Sequence, residues 1–479
     1  MLLHIPTAIL AFASSVLATN PIKRQGANFV DADTGARFEI IGIDYQPGAN
    51  AGFNPGADPL SDSETCLRDA IVMQQLGVNT IRVYNLDPTV SHDECASIFN
   101  AAGIYMLLDV NTPTFALNSE APYTTYTGAY LTHIFQVVEA FSGYPNLLGF
   151  VAGNENINDI PSGLINPPYV KAVIRDLKNY IAKNIDREIP VGYAAAQINQ
   201  TLVDQWNYFR CSTTGQDNDP AIADFFALNS YSWCGESSFQ QAGYDILVKD
   251  FASTNTPMFF GEYGCNQFTG AVDGGPRPFT EVASLYGEQM RGVFSGGLVF
   301  EYTQETNSFG LVKVNNDKSL TLRQDFINLQ NQYNKLDIKQ VTASNGTATS
   351  QAAPKCAASL ITQGLTKNFT LPAVPDNGTD LINNGVTVPS PPKTVSLTST
   401  ALPAAVTNVQ GSKENWTLKQ LSNDESNEPS GNTAGGAGSG SSGSSSGSGS
   451  SSSNMAMPTA MPRVAGLVAG SLFMGAMVL

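Results

Sequence analysis

Short apolar, β-rich runs recur eight times in the first 330 residues, at 38–43, 80–84, 105–110, 147–152, 190–194, 225–230, 258–261 and 297–302. Helix-length segments separate most of them, with candidates at 64–76, 130–141, 169–181 and 280–293. A strand that is apolar on both sides needs cover on both faces, and helices alternating with parallel strands provide it. Eight such units predict an α/β fold closed as a (β/α)8 barrel, with a doubly wound open sheet as the alternative. The charge balance narrows what such a fold can bind. With 41 Asp+Glu against 25 Lys+Arg the net charge is −16, a sign that repels phosphate backbones and argues against nucleic acid. Three histidines (His4, His92, His133) and six cysteines without any C-x-x-C pair give no support to a metal site. No cofactor is expected.

In a (β/α)8 barrel the chemistry sits where the strands end, so the polar residues that follow each apolar run are the candidates. They are Asp44 and Gln46 after the first run, Tyr84 after the second, Asp109 after the third, Asn154-Glu155 after the fourth, Asn229 and Tyr231 after the sixth, Glu262 after the seventh, and Glu301-Tyr302 after the eighth. Strands four and seven face each other across an eight-stranded ring. Glu155 and Glu262 therefore form a candidate acid and nucleophile pair, the set a glycosidic bond requires: a carboxylic acid to protonate the leaving oxygen and a carboxylate to attack the anomeric carbon. Asn154 is placed to hold a sugar 2-hydroxyl. Tyr84, Tyr231, Phe300 and Tyr302 offer faces for sugar rings.

The segments GVNTIRVY (77–84), LLGFVAGNE (147–155), NSYSWCG (229–235), GEYGCN (261–266) and RPFTEVASLYG (277–287) resemble the fungal GPI-anchored β-1,3-glucanosyltransferases of glycoside hydrolase family 72. The likeness covers roughly 25–335. It implies a retaining mechanism with Glu155 as general acid/base and Glu262 as nucleophile, and a substrate site of Tyr84, Asn154, Gln46, Asp109, Tyr231, Phe300 and Tyr302. It also implies disulfides Cys66–Cys95, Cys211–Cys356 and Cys234–Cys265, where the spacing alone leaves fifteen pairings open. The chain departs from the family in three places. Phe300 stands where a tyrosine is common, the segment 194–202 lacks the acidic run and arginine usual after strand five, and 271–276 is an extra glycine-rich stretch. With one cysteine beyond the barrel there is no room for the cysteine-rich glucan-binding module that some members carry.

The ends read as addresses. Residues 1–18 have the apolar run and small −3 and −1 residues of a secretory signal. Lys23-Arg24 is either a processing site or an ordinary polar pair. The expected catalytic domain is 19–335, followed by an extension at 336–421 that a disulfide ties back, and a Ser/Gly-rich linker at 422–454. The stretch 455–479 ends in an apolar run of roughly 16 residues, short for a spanning helix and ordered like a GPI-attachment signal. The expected lipidated residue is Asn454, with Ser453 the alternative; a tail-anchored helix is the competing reading. Sequons lie at Asn199, Asn345, Asn368, Asn377 and Asn415.

These expectations converge on an enzyme that cleaves β-1,3-glucan internally and passes the new end to another glucan chain. It would act at the outer face of the plasma membrane or in the wall, with donor and acceptor glucans and the membrane as partners; no protein partner is inferred. Hydrolysis by the same two glutamates is one alternative. A non-catalytic, GPI-linked glucan-binding wall protein is the other.

Overall fold

The computed structural model describes residues 19–48, 56–272, 274–343, 352–423, 425–428 and 432–435. The expected signal segment, Asn345, Ser453, Asn454, most of the Ser/Gly stretch and the C-terminal apolar run lie outside them.

A three-stranded antiparallel sheet comes first: β1 (Ile22–Gln25), β2 (Asn28–Asp31) and β3 (Arg37–Phe38). Eight parallel strands follow and close into a barrel: β4 (Ile40–Tyr45), β5 (Thr80–Val83), β6 (Tyr105–Asp109), β7 (Leu147–Asn154), β8 (Val191–Ala196), β9 (Phe226–Cys234), β10 (Met258–Cys265) and β11 (Phe294–Val299). Each strand pairs in parallel with its chain neighbours, and β11 returns to β4 through Gly296–Ile40 and Val299–Ile43. Side chains alternate as the pleat demands. Ile41, Ile43, Ile81, Val83, Met106 and Leu108 pack under the outer helices, while Ile40, Tyr105, Leu107, Leu148, Phe259 and Leu298 fill the interior. The small first sheet stoppers the N-terminal end, where Phe29 lies 6.1 Å from Phe225 and 5.9 Å from Phe259, ring centroid to centroid.

Three sequence expectations are corrected. The first barrel strand starts at Ile40 rather than at 38, because Phe38 is taken by pairing with Phe29 in the N-terminal sheet. The eighth strand runs Phe294–Val299, not 297–302, so Glu301 and Tyr302 lie beyond it. The helix expected at 280–293 is only Glu281–Leu285. Gly287 and Gly292 follow it, and the chain continues in turns such as Met290 N to Gly287 O. Lys23 and Arg24 sit inside β1, where Arg24 bonds Asn255 O and pairs with Asp224.

The three disulfides join Cys66 to Cys95, Cys211 to Cys356 and Cys234 to Cys265. From Cys356 the chain runs as a belt over the outer helices. Asp204 accepts the amides of Thr362 and Gln363. Tyr208 stacks on Phe369, and Arg175 donates to Pro372 O. Tyr180 Oη accepts from Val386 N, Asp93 and Ser97 accept from Lys393 N and Val395 N, and Val406 pairs with Leu320. The stretch expected to be a stalk from 422 is in part folded: Glu425–Glu428 pairs with Asn432–Gly435, and buried Asn427 donates to Val78 O and Ala102 O at the stoppered end. A polar side chain there is tolerated because it satisfies backbone carbonyls that would otherwise be orphaned.

Candidate active site

β10 and the turn after β7 bring the two glutamates to the barrel mouth. Glu155 follows β7 directly with φ of +50°, a left-handed conformation costly for a side-chain-bearing residue, and its amide is held by Ala194 O at 2.9 Å. Irregular pairing between Val151 and Asn154 and between Phe260 and Glu262 marks both strand ends. Such register shifts re-aim side chains beside active sites.

Between the glutamates stands Arg82, fully buried, on the inward face of β5. Its guanidinium forks onto Asp109, with Nε to Oδ2 at 2.8 Å and Nη2 to Oδ1 at 3.0 Å. It also donates to Asn154 Oδ1 at 2.9 Å, Asn229 Oδ1 at 3.4 Å, Gly261 O at 3.3 Å and Glu262 Oε1 at 3.4 Å. Asn229 in turn donates from Nδ2 to Glu155 Oε1 at 2.8 Å and to Asn154 Oδ1 at 3.0 Å. Glu155 and Glu262 are thus fixed to one network. A Cβ at Gly261 would sit 2.8 Å from Asn229 Oδ1 and 3.2 Å from Arg82 Nη1, so only glycine admits that approach. Glu262 has both oxygens occupied: Tyr84 Oη donates to Oε1 at 3.0 Å and Tyr231 Oη to Oε2 at 2.7 Å.

Burial pushes the Glu155 carboxyl above its ordinary range, opposed by the Asn229 hydrogen bond and the Arg82 charge. Burial likewise pushes Glu262 up to about 7, with Arg82 pulling down and the Glu155 charge adding to the rise. That last contribution is present only while Glu155 is ionised, so the two carboxyls titrate as a pair that holds a single proton over the intermediate range. A protonated acid beside an ionised nucleophile is the state a retaining displacement starts from.

The remaining candidates divide. Asn154 has its Oδ1 tied down, which leaves its amide N–H groups for a ligand. Asp109 is spent on Arg82. Gln46 donates to Glu301 Oε2 at 2.9 Å. Phe300 packs edge-on against Tyr231 and Phe309, with centroids 6.3 and 5.2 Å away. Tyr302 does not join them. It is fully buried, packed on Tyr45, with its hydroxyl on Asp69 Oδ1 at 3.0 Å. The eighth strand ends three residues before it, and the intervening turn points it back under the helices. Tyr302→Phe is therefore expected to leave laminari-oligosaccharide turnover unchanged while lowering stability by about 1–3 kcal/mol, since buried Asp69 loses a donor; kinetics and a denaturant titration of one preparation check both.

Sequence reasoning placed Asp44 and Asn229 among the strand-end candidates without giving them a role, and passed over Arg82. For Arg82 a signal existed: it is a charge inside an apolar run, at the alternate position that the pleat turns inward. Nothing in the sequence marked Phe309. The Cys234–Cys265 bridge joins the ends of β9 and β10, next to Tyr231 and Glu262. Beyond it, Arg277 is buried and donates to Asp325, Gly264 O and Phe300 O, tying the loop after β10 to the one after β11. The glycine-rich stretch 271–276 ends on this anchor. His92 bonds Asp58 and His133 stacks on Phe115, so neither histidine serves the glutamates.

A family model described as "Glucanosyltransferase" matches residues 11–337. The chain is 50% identical over 410 residues to the 1,3-beta-glucanosyltransferase gel2 of Aspergillus fumigatus, covering 85% of this chain and 84% of that one. It is 40% identical over 377 residues to the 1,3-beta-glucanosyltransferase GAS4 of Saccharomyces cerevisiae, covering 78% and 77%. A solved structure of a glutamate-to-glutamine mutant of Saccharomyces cerevisiae Gas2p, in complex with laminaritetraose and laminaripentaose, superposes with a TM-score of 0.64 at 37% identity over 76% of each chain. With a closed eight-stranded barrel and a family match over the whole of it, the chain belongs to the glucanosyltransferases of glycoside hydrolase family 72.

Proposed function

We propose that this protein is a retaining β-1,3-glucanosyltransferase of the fungal wall. The carrying observation is the linkage of Glu155 and Glu262 through Asn229 and Arg82 at the barrel mouth. The Glu262 carboxylate attacks the anomeric carbon of an internal linkage, and Glu155 gives its proton to the departing 3-oxygen. The Glu155 carboxylate then takes the proton from the 3-hydroxyl of a second glucan chain. That oxygen displaces Glu262, and a lengthened glucan leaves. Asn154 offers N–H donors to the 2-hydroxyl, Gln46 is oriented by Glu301, and Tyr231 with Phe300 lines the sugar path.

Incubating the soluble ectodomain with a reduced laminari-oligosaccharide and sizing the products tests this reading. Products both longer and shorter than the substrate are expected; only shorter ones, even at saturating acceptor, would make it a hydrolase. Transfer needs an acceptor held in place before water attacks. The segment 194–202 has no arginine to hold one, and Gln197 is engaged by Ser230 Oγ at 2.6 Å. A missing charge-assisted hydrogen bond is worth roughly 1.5–3 kcal/mol, about one to two factors of ten in acceptor occupancy. Hydrolysis is thus expected to take a visible share at low oligosaccharide concentration and to recede as acceptor rises. Exclusive transfer at low micromolar substrate would show that other residues bind the acceptor.

The same reading makes 1–18 a secretory signal and 455–479 a signal for GPI attachment at Asn454, on the composition of those segments. Asn199, Asn368, Asn377 and Asn415 are exposed, as glycosylation requires. Phosphatidylinositol-specific phospholipase is expected to release the protein from membranes. Finding the 464–479 peptide in the mature protein would favour a tail anchor instead.

A further inference from the structure

We infer that Asp44 is a positioning residue of the displacement: a neutral carboxylic acid that donates to the Tyr84 hydroxyl and so commits the single Tyr84 proton to Glu262. The inference rests on the reading of Glu262 as nucleophile. Its starting point is a proton count. Tyr84 Oη lies 3.1 Å from Asp44 Oδ1 and 3.0 Å from Glu262 Oε1, yet a phenol has one proton to give. Two ionised carboxylates would compete for it. If Asp44 carries its own proton on Oδ1, it becomes the donor to the phenol oxygen, and the chain reads Asp44 to Tyr84 to Glu262 with every hydrogen used.

Two further observations agree. Asp44 is fully buried, and its Oδ2 has no hydrogen-bond partner among the described residues. A partnerless, buried oxygen is tolerable as the carbonyl of a neutral acid and costly as half of a carboxylate. The charges facing Asp44 are also short of cations. Arg82 comes from β5 and is already forked by Asp109 from β6; Glu262 comes from β10; Tyr84 and Tyr231 are neutral phenols on β5 and β9. An ionised Asp44 would put a third carboxylate on one guanidinium. Burial, then the Glu262 charge, push the Asp44 carboxyl well above its usual range against the pull of Arg82.

No proton is transferred in this scheme. Neutral Asp44 keeps a donor on the nucleophile's Oε1 without adding a like charge beside it. Ionised Asp44 would withdraw that donor and raise the basicity of Glu262. The test uses the full ectodomain and two kinds of readout. Difference infrared spectroscopy at neutral pH, wild type against Asp44→Asn, is expected to show a protonated-carboxyl C=O stretch in the wild type that the variant lacks. The absence of that band overturns the inference whatever the identity of the nucleophile. In kinetics, Asp44→Asn, whose amide can still donate to Tyr84, is expected to lose no more than several-fold in kcat. Asp44→Ala loses the donor and falls about ten- to hundredfold. Asp44→Ala combined with Tyr84→Phe should be no slower than Tyr84→Phe alone, because Asp44 acts through that hydroxyl. A double variant slower by the product of the two effects, or an Asp44→Asn variant as slow as Asp44→Ala, overturns it. Failure of the Glu262 assignment is read separately, from Glu262→Gln.

Discussion

Glu262→Gln is expected to lower kcat/KM on laminari-oligosaccharides by at least about ten-thousandfold, since it removes the atom that attacks, and Glu155→Gln by about a hundred- to ten-thousandfold, the range for a lost general acid. The fold should survive both. The Tyr84 and Tyr231 hydroxyls that hold Glu262 can rotate to suit an amide, and Asn229 can still meet a glutamine carbonyl at 155. The two roles separate on an aryl laminaribioside whose dinitrophenolate leaves without a proton. The Glu155→Gln variant should then release a burst of phenolate and stall as glycosyl-enzyme, while Glu262→Gln releases none. The pH profile separates them too. The general acid must be protonated, so wild-type activity falls as pH rises through the Glu155 pKa, which burial places above the ordinary carboxylate range. That alkaline limb should vanish in Glu155→Gln. Substantial transfer by either purified, folded variant would remove its glutamate from the mechanism.

The barrel was legible because most of its strands are apolar on both sides, a pattern that few folds other than a helix-covered parallel sheet can accommodate. The mouth was legible for the same reason: Glu155 and Glu262 interrupt apolar runs at the end where a barrel does chemistry. What the sequence hid was whatever rests on backbone partners. The belt after Cys356 has no period to read, because Asp204, Tyr180, Asp93 and Ser97 on the helices hold its main chain rather than its side chains. The N-terminal stopper was hidden by strands of two to four residues, one carrying Lys23-Arg24, too short for alternation to show. Tyr302 was misassigned because a strand end displaced by three residues sends a side chain to the opposite layer.

Arg82→Lys is expected to cut kcat/KM by about a hundred- to thousandfold, although the charge is kept and Arg82 makes no covalent step. A guanidinium reaches Asp109, Asn154, Asn229, Gly261 O and Glu262 at once; an ammonium has three donors on a single centre and cannot span them. The contact to Asp109 is the bidentate ion pair, so lysine should keep that carboxylate as its partner and release Asn154 and Asn229. Asn229 would then no longer be fixed on Glu155, and Asn154 would lose the bond that aims its amide at the sugar. The loss should therefore fall on kcat and KM together. Arg82→Met goes further, because it leaves Asp109 buried and unpaired, a change that typically costs about 3–5 kcal/mol of stability. Adding Asp109→Asn to Arg82→Met should restore much of that stability but little activity. The acid limb of the pH profile reports on the charge itself. Arg82 pulls the Glu262 pKa down, so its removal raises that pKa, and activity should be lost at a higher pH on acidification than in the wild type. An Arg82→Met/Asp109→Asn enzyme that is stable, near wild type in kcat and unmoved in its acid limb would show that the arginine only fills the barrel.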